Sequence, residues 1–258
     1  MRPLWTGAIG FGLVNIPVKL YSATQGSELS LDMLDKKDNS NIRYIRVNEK
    51  TGKEVKWENI VKGYMLNNKY VVLDQKDFDR ASAVKTKTID ISDFVELSEV
   101  DSIYYETPYY LVPEKSGVRA YALLKEALEK TGKAGVATFV MRNKESLAIL
   151  KASRNAIILN KIRFEEEIRD TKELGIAARA PVKPAELKMA ISLINQLSAK
   201  FNISKYKDTY TELLMKVIKA KSKGVKAKEP HLKVVHSTTK DLMSQLKASL
   251  GTKTKKAS

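Results

Sequence analysis

The chain is 258 residues long, 43% hydrophobic and free of cysteine, so it can bury a substantial core, while disulfides and cysteine-ligated zinc are excluded. Its 46 Lys and Arg stand against 30 Asp and Glu, a formal charge of +16 that points to a polyanionic partner. No charged segment with an apolar stretch and cleavage site opens the sequence, and no apolar run reaches membrane-spanning length; a soluble cytoplasmic protein without membrane contact is expected.

In chain order, Val14, Ile16, Val18 and Leu20 alternate with Asn15, Pro17, Lys19 and Tyr21, the period of a strand with one buried face. Pro17 then belongs at an edge or a bulge. Gly7, Gly10 and Gly12 are spaced G-x-x-G-x-G, and Asn15-Ile16-Pro17 follows where a phosphate-binding helix would have to open, so a dinucleotide site is excluded. Ile42 to Asn48 and Lys53 to Trp57 predict two short strands joined through Glu49-Lys50-Thr51-Gly52. Between Lys36 and Lys56 the seven cations Lys36, Lys37, Arg43, Arg46, Lys50, Lys53 and Lys56 meet only Asp38, Glu49 and Glu54, a net +4. Composition alone reads this ribbon as a solvated hairpin.

Lys69 to Leu73 and Thr88 to Ile91 predict further strands, with Asp74 capping a helical turn through Arg80. Asp77-Phe78-Asp79 has the spacing of a two-metal carboxylate pair, although acids in a first helical turn are its ordinary explanation. After a strand over Tyr109 to Val112, Ser116 announces and Gly132 closes a helix whose apolar stripe is Tyr121, Leu124 and Leu128. Val136 to Met141, Ser146 to Lys151 and Ala156 to Phe164 predict three strands with the cations Arg142, Lys144 and Arg154 at their turns. Short strands with tight turns favour an antiparallel barrel or sandwich over a parallel sheet.

From Pro184 the period becomes helical: Leu187, Ile191, Ile194, Leu197 and Phe201 recur until Asn202. A second helix capped by Asp208 carries Tyr210, Leu213, Leu214, Val217 and Ile218. These faces suit either the chain's own core or a second subunit. Lys221 to Ser258 holds ten lysines against Glu229 and Asp241, a net +8 in a segment too poor in apolar residues to fold alone. Within it Leu242, Met243, Leu246 and Leu250 align on one helical face, the pattern of a segment that folds on a partner. His231 and His236 read as solvated side chains. With no P-loop, no H-E-x-x-H, no cysteine and both histidines in the tail, the chain reads as non-enzymatic and cofactor-free, with no metal site.

The block Arg2 to Tyr21 closely resembles the opening of the bacterial Ku family, DNA-end-binding proteins of non-homologous end joining. The resemblance continues through Pro113 to Leu128, Arg142-Asn143-Lys144 before Leu147 to Leu150, Glu167 to Asp170, Lys183 to Ala190 and Tyr206 to Tyr210, covering residues 2 to about 220. It implies a mainly β fold with a helical arm: a Ku-type β-barrel over residues 1–182 whose basic bridge (about 25–80) passes over DNA. It further implies a dimerisation arm over 183–220 through Leu187, Ile191, Ile194, Leu197, Phe201, Leu213 and Leu214, followed by a flexible basic tail over 221–258. The seven ribbon cations with Arg142, Lys144 and Arg154 are the DNA-binding candidates, and Leu242, Met243, Leu246 and Leu250, in a segment similar to a C-terminal motif of some Ku proteins, are candidates for contact with the end-joining DNA ligase. Some Ku relatives carry a cysteine pair near the positions held here by Asn48 and Thr51, so zinc binding does not carry over. The implied function is a homodimeric ring that binds double-stranded DNA ends without sequence specificity and recruits the ligase. The alternatives are a nucleic-acid architectural or RNA-binding protein without end preference and, ranked below it, a phosphodiester-processing enzyme using Asp77 and Asp79.

Overall fold

In the computed structural model, which describes residues 1–81, 87–142, 144–175, 181–225 and 242–251, strands β1 (Trp5–Phe11) and β2 (Val14–Ser22) form an antiparallel hairpin. The predicted alternation holds from Ile16 onward: Ile16, Val18 and Leu20 are fully buried, whereas Val14 is exposed beside the turn. Pro17 sits just outside the ladder that β2 makes with its other neighbour, and its carbonyl accepts the Glu114 N–H at 2.9 Å, so the missing proline N–H leaves no gap.

The ribbon follows, with β3 (Lys62–Leu66), β4 (Lys69–Leu73) and the short helix α1 (Gln75–Ala81). Then come β5 (Thr88–Glu96), β6 (Tyr105–Pro113), α2 (Val118–Thr131), β7 (Lys133–Met141), β8 (Lys144–Ser153) and β9 (Ala156–Ile162). Seven of these strands close a barrel in the order β1-β2-β6-β9-β8-β7-β5, with β1 parallel to β5 at the seam. Gly7 and Gly10 belong to that seam, whereas Gly12 lies in the turn between β1 and β2. A Cβ on Gly7 would collide with the Lys87 carbonyl and the Trp5 ring, where Ala8 N–H donates to Lys87 at 2.8 Å.

The barrel interior is filled by Ile9, Ile16, Val18, Leu20, Ile89, Leu111, Phe139, Leu150, Ile157 and Leu159. The stripe Tyr121, Leu124 and Leu128 of α2 completes this core, and the helix closes at Gly132, in left-handed backbone, as predicted. Its start differs: Gly117 is the cap, without a side-chain bond, and Ser116 lies in the turn that leads in. The Tyr121 hydroxyl donates to the Leu111 carbonyl at 2.7 Å and accepts the Ile157 N–H at 2.6 Å, filling a place between β6 and β9. Burial pushes this phenol above its ordinary pKa, although the Ile157 N–H pulls the other way. Tyr121→Phe strands two buried backbone groups, so it is expected to cost about 1–3 kcal/mol, read as a lower urea midpoint at unchanged m.

Residues 42–48 and 53–57 are not regular strands, contrary to the sequence expectation; single bridges Leu34–Asn41 and Val47–Glu54 mark two tight turns instead. With no buried residue on either side, a longer ladder has nothing to pack against. The sequence reading did not anticipate β3, which pairs with β4 across a tight Asn67-Asn68 turn with φ of 48° and 61°.

Residues 1–26 with 30–170 form one compact unit, and 27–29 with 171–258 a second. The second contains α3 (Pro184–Leu197), α4 (Thr209–Ser222) and α5 (Leu242–Gly251), with α5 lying against α3. α3 stops at Leu197, short of the predicted end: the Ser198 hydroxyl donates to the Ile194 carbonyl at 2.8 Å while the Ser198 N–H turns back to Asn195. Phe201 therefore lies beyond the helix, stacked on Tyr206. Asp208 caps α4, accepting from the Thr211 hydroxyl at 2.6 Å and from the Tyr210 and Thr211 N–H groups; these bonds, the hydroxyl first, hold its carboxyl below the usual range.

Candidate nucleic-acid interface

Two tight turns display the ribbon's lysines. In the first, the Asp35 carboxylate accepts the Lys37 N–H at 2.8 Å and the Asp38 carboxylate accepts the Ser40 N–H at 2.9 Å, placing Lys36 and Lys37 at the tip. The Ser40 backbone bond is the main reason the Asp38 carboxyl lies below its ordinary value. In the second, the Asn48 side-chain carbonyl accepts the N–H groups of Lys50 and Thr51, both at 3.0 Å, and Gly52 closes the turn at φ 65°. Lys50 and Lys53 stand at that tip. Asn48 and Thr51 thus organise the turn through hydrogen bonds, and among the described residues no three His, Cys, Asp or Glu side chains come together as a metal site.

All seven ribbon cations are exposed, and among the described residues none forms an ion pair. Barrel-unit lysines behave differently. Lys19, Lys130, Lys133, Lys144 and Lys161 pair with Glu114, Glu126, Glu96, Glu167 and Glu106 respectively. The ribbon thus differs from these lysines in that, among the described residues, every one of its seven cations is left without an acid partner. Aromatic rings accompany it, a feature the sequence reading missed although they interleave with the cations: Tyr44 and Trp57 are 74% and 72% exposed, and the Arg46 guanidinium lies 4.6 Å from the Trp57 ring centre.

The remaining cation candidates do not join this cluster as a group. Arg142 and Lys144 flank the β7–β8 turn and Arg154 the β8–β9 turn, at opposite ends of the ten-residue β8. That separation is about 30 Å at ~3.3 Å per residue. Arg142 and Arg154 both adopt left-handed backbone, φ 54° and 47°, so each turn is held in a conformation uncommon for arginine. Asp77 is used as a cap: its carboxylate accepts the Asp74 N–H at 2.9 Å while Asp74 accepts the Asp77 N–H, and Asp79 accepts from Gln75. This reciprocal box occupies the carboxylate that the two-metal reading required.

In the second unit, Leu187, Ile191, Ile194 and Leu197 of α3 and Leu213 of α4 are exposed, and Leu214 is half-buried. Met243 and Leu246 of α5 are half-buried, whereas the side chains of Leu242 and Leu250 lie outside the described residues, as do Asn143, His231 and His236.

The family model of the Ku70/Ku80 beta-barrel domain matches residues 10–189, from the end of β1 through the ribbon and the barrel into α3. The chain belongs to the Ku family. Relatives named non-homologous end joining protein Ku support the assignment over nearly the whole length. That of Opitutus terrae is 46% identical over 223 residues, covering 86% of this chain and 80% of its own. That of Archaeoglobus fulgidus is 40% identical over 252 residues, covering 97% and 98%, and that of Coxiella burnetii is 37% identical over 262, covering 98% and 96%. The ribbon is thus part of the Ku domain as matched. No described helix is long and apolar enough to cross a membrane.

Proposed function

We propose that this Ku-family chain acts in non-homologous end joining as a homodimeric ring that holds double-stranded DNA ends without reading their sequence and recruits the end-joining DNA ligase. The observation that carries the reading is the ribbon of seven exposed cations, none of them in an ion pair among the described residues, beside barrel lysines of which Lys19, Lys130, Lys133, Lys144 and Lys161 are held by acids. Guanidinium and ammonium groups on tight turns meet phosphate oxygens, which carry affinity but no sequence information. No base-reading helix is needed. Arg142, Lys144 and Arg154, at two ends of β8, are proposed as separate backbone contacts outside the ribbon patch, with Lys144 first leaving Glu167. The arm residues of α3 and α4 supply the dimer contact, and a closed ring turns a sequence-blind grip into a preference for ends, because DNA enters only where a duplex terminates. The chain itself performs no bond chemistry in this reading; ligation belongs to the recruited enzyme. As a soluble protein it would work at the bacterial nucleoid.

Retention on linear but not covalently closed circular DNA of the same length and sequence tests the reading. Once threaded, a ring is expected to stay on an end-blocked linear duplex through a salt wash that strips it from circles. Equal loss from both would instead favour the architectural reading without end preference.

A further inference from the structure

α3 carries two apolar faces, and only one of them is bare. Leu187, Ile191 and Ile194 form the exposed stripe. Glu186, Met189, Ala190 and Leu193 are half-buried and recur at three- or four-residue spacing, one residue out of step with the bare stripe and so about 100° round the helix. The element packed on α3 is α5, in which Met243 and Leu246 are half-buried three residues apart, while Ser244 and Ser249 face solvent.

A ten-residue segment such as α5 is too short to hold a helix alone in water, and the fourteen residues of α3 are marginal. Neither α3 nor α4 has a fully buried residue. Each helix therefore depends on a partner, and α5 has one within the chain, in α3. Sixteen residues separate Val225 from Leu242, which at about 3.3 Å each span some 50 Å, ample for α5 to return to α3 of its own protomer.

We propose that α5 is an internal brace for the assembly arm: it docks through Met243 and Leu246 on the Met189–Leu193 stripe, keeps α3 helical, and so presents Leu187, Ile191 and Ile194 in register to a second copy. The apolar face of α5, which in the sequence suggested a docking segment for another protein, has its partner in the arm. By linkage, the factor by which α5 docking tightens the dimer is the factor by which dimerisation tightens α5 docking, so loss of the docked α5 weakens the dimer by that coupling factor. The brace rests on the dimer reading only in this last step; the docking itself does not.

The test uses the full-length chain with Met243→Asp and Leu246→Asp together, and Met243→Leu with Leu246→Met as the volume-conserving control. Amide exchange over 184–197 is read at a concentration where the wild type is monomeric, together with the dimer dissociation constant by sedimentation. Exchange in the barrel strands serves as the internal fold control. The expected result is at least tenfold faster exchange in α3, unchanged exchange in the barrel, a dimer constant weakened at least tenfold, and wild-type behaviour in the control. Unchanged α3 exchange in the aspartate variant overturns the brace, as does accelerated exchange with an unaltered dimer constant. Exchange over 242–251 that is unprotected at the monomeric concentration and becomes protected only as the dimer forms would place α5 on the neighbouring copy and overturn docking within the chain. Accelerated exchange in a protein that is monomeric at every concentration would uphold the docking and count against the dimer reading alone.

Discussion

Lys50→Glu combined with Lys53→Glu is expected to lower affinity for linear duplex DNA by about four thousandfold at about 0.1 M salt, with the barrel intact. Each lysine stands at the tip of a turn built by Asn48 and Gly52, with no acid pairing it among the described residues. A two-fold dimer presents four such lysines, and each lost phosphate contact removes about 0.9 from the slope of log K against log salt, so the slope should become shallower by about 3.6. Measured from 1 M, where the counterion contribution vanishes, that difference amounts to the stated loss. A wild type neutralising four or five phosphates per protomer would start from a slope of roughly −7 to −9. The loss should be equal on every DNA sequence, since phosphates do not differ between bases. Lys125→Glu with Lys130→Glu on α2 changes the net charge identically, but these lysines sit off the ribbon and pair with Glu129 and Glu126. If that control lost as much affinity as the ribbon variant, total charge and not the ribbon would account for binding.

What the sequence revealed and what it hid divide along burial. Ile16, Val18 and Leu20 were legible because a buried face imposes period two, and Tyr121, Leu124 and Leu128 because a helix on a core imposes its own period. The seam between β1 and β5 left no local trace: parallel neighbours separated by the whole ribbon are joined by topology, and only the closeness of Gly7 to Lys87 betrays it. The ribbon misled in detail because it has no buried face. Its turn at Lys50 was readable from Gly52, but nothing packs against 42–48 to extend a ladder, and β3 was missed because its turn uses Asn67-Asn68 without a glycine. For the candidate site, charge density singled out the ribbon, and its seven cations are exposed and without an acid partner among the described residues. Arg142 and Arg154, picked out as cations at strand-end turns, lie at opposite ends of β8 because each belongs to a different hairpin. Hydrophobic period likewise carried α3 on to Phe201, while a single side-chain bond from Ser198 ended it a turn earlier.

Ile194→Asp separates the two meanings of the arm's apolar stripe. Were Ile194 part of the chain's own core, an unpaired carboxylate there would destabilise the single chain severely. It is 63% exposed, so the lone protomer should lose little stability and its thermal unfolding should stay close to that of the wild type. In a two-fold dimer the same position occurs twice, and each copy would bury a charge without a partner. At about 3 kcal/mol per copy the combined cost is about 6 kcal/mol, which corresponds to a dimer constant weakened by about four orders of magnitude. The expected outcome is a folded monomer by sedimentation at micromolar concentration that no longer discriminates linear from circular DNA, because half a ring cannot be threaded. Residual binding should follow the ribbon alone, with a salt slope about half that of the dimer. A wild type that already sediments as a monomer, or an aspartate variant that unfolds without changing its association state, would return this stripe to the chain's own packing and leave the ring without its closure.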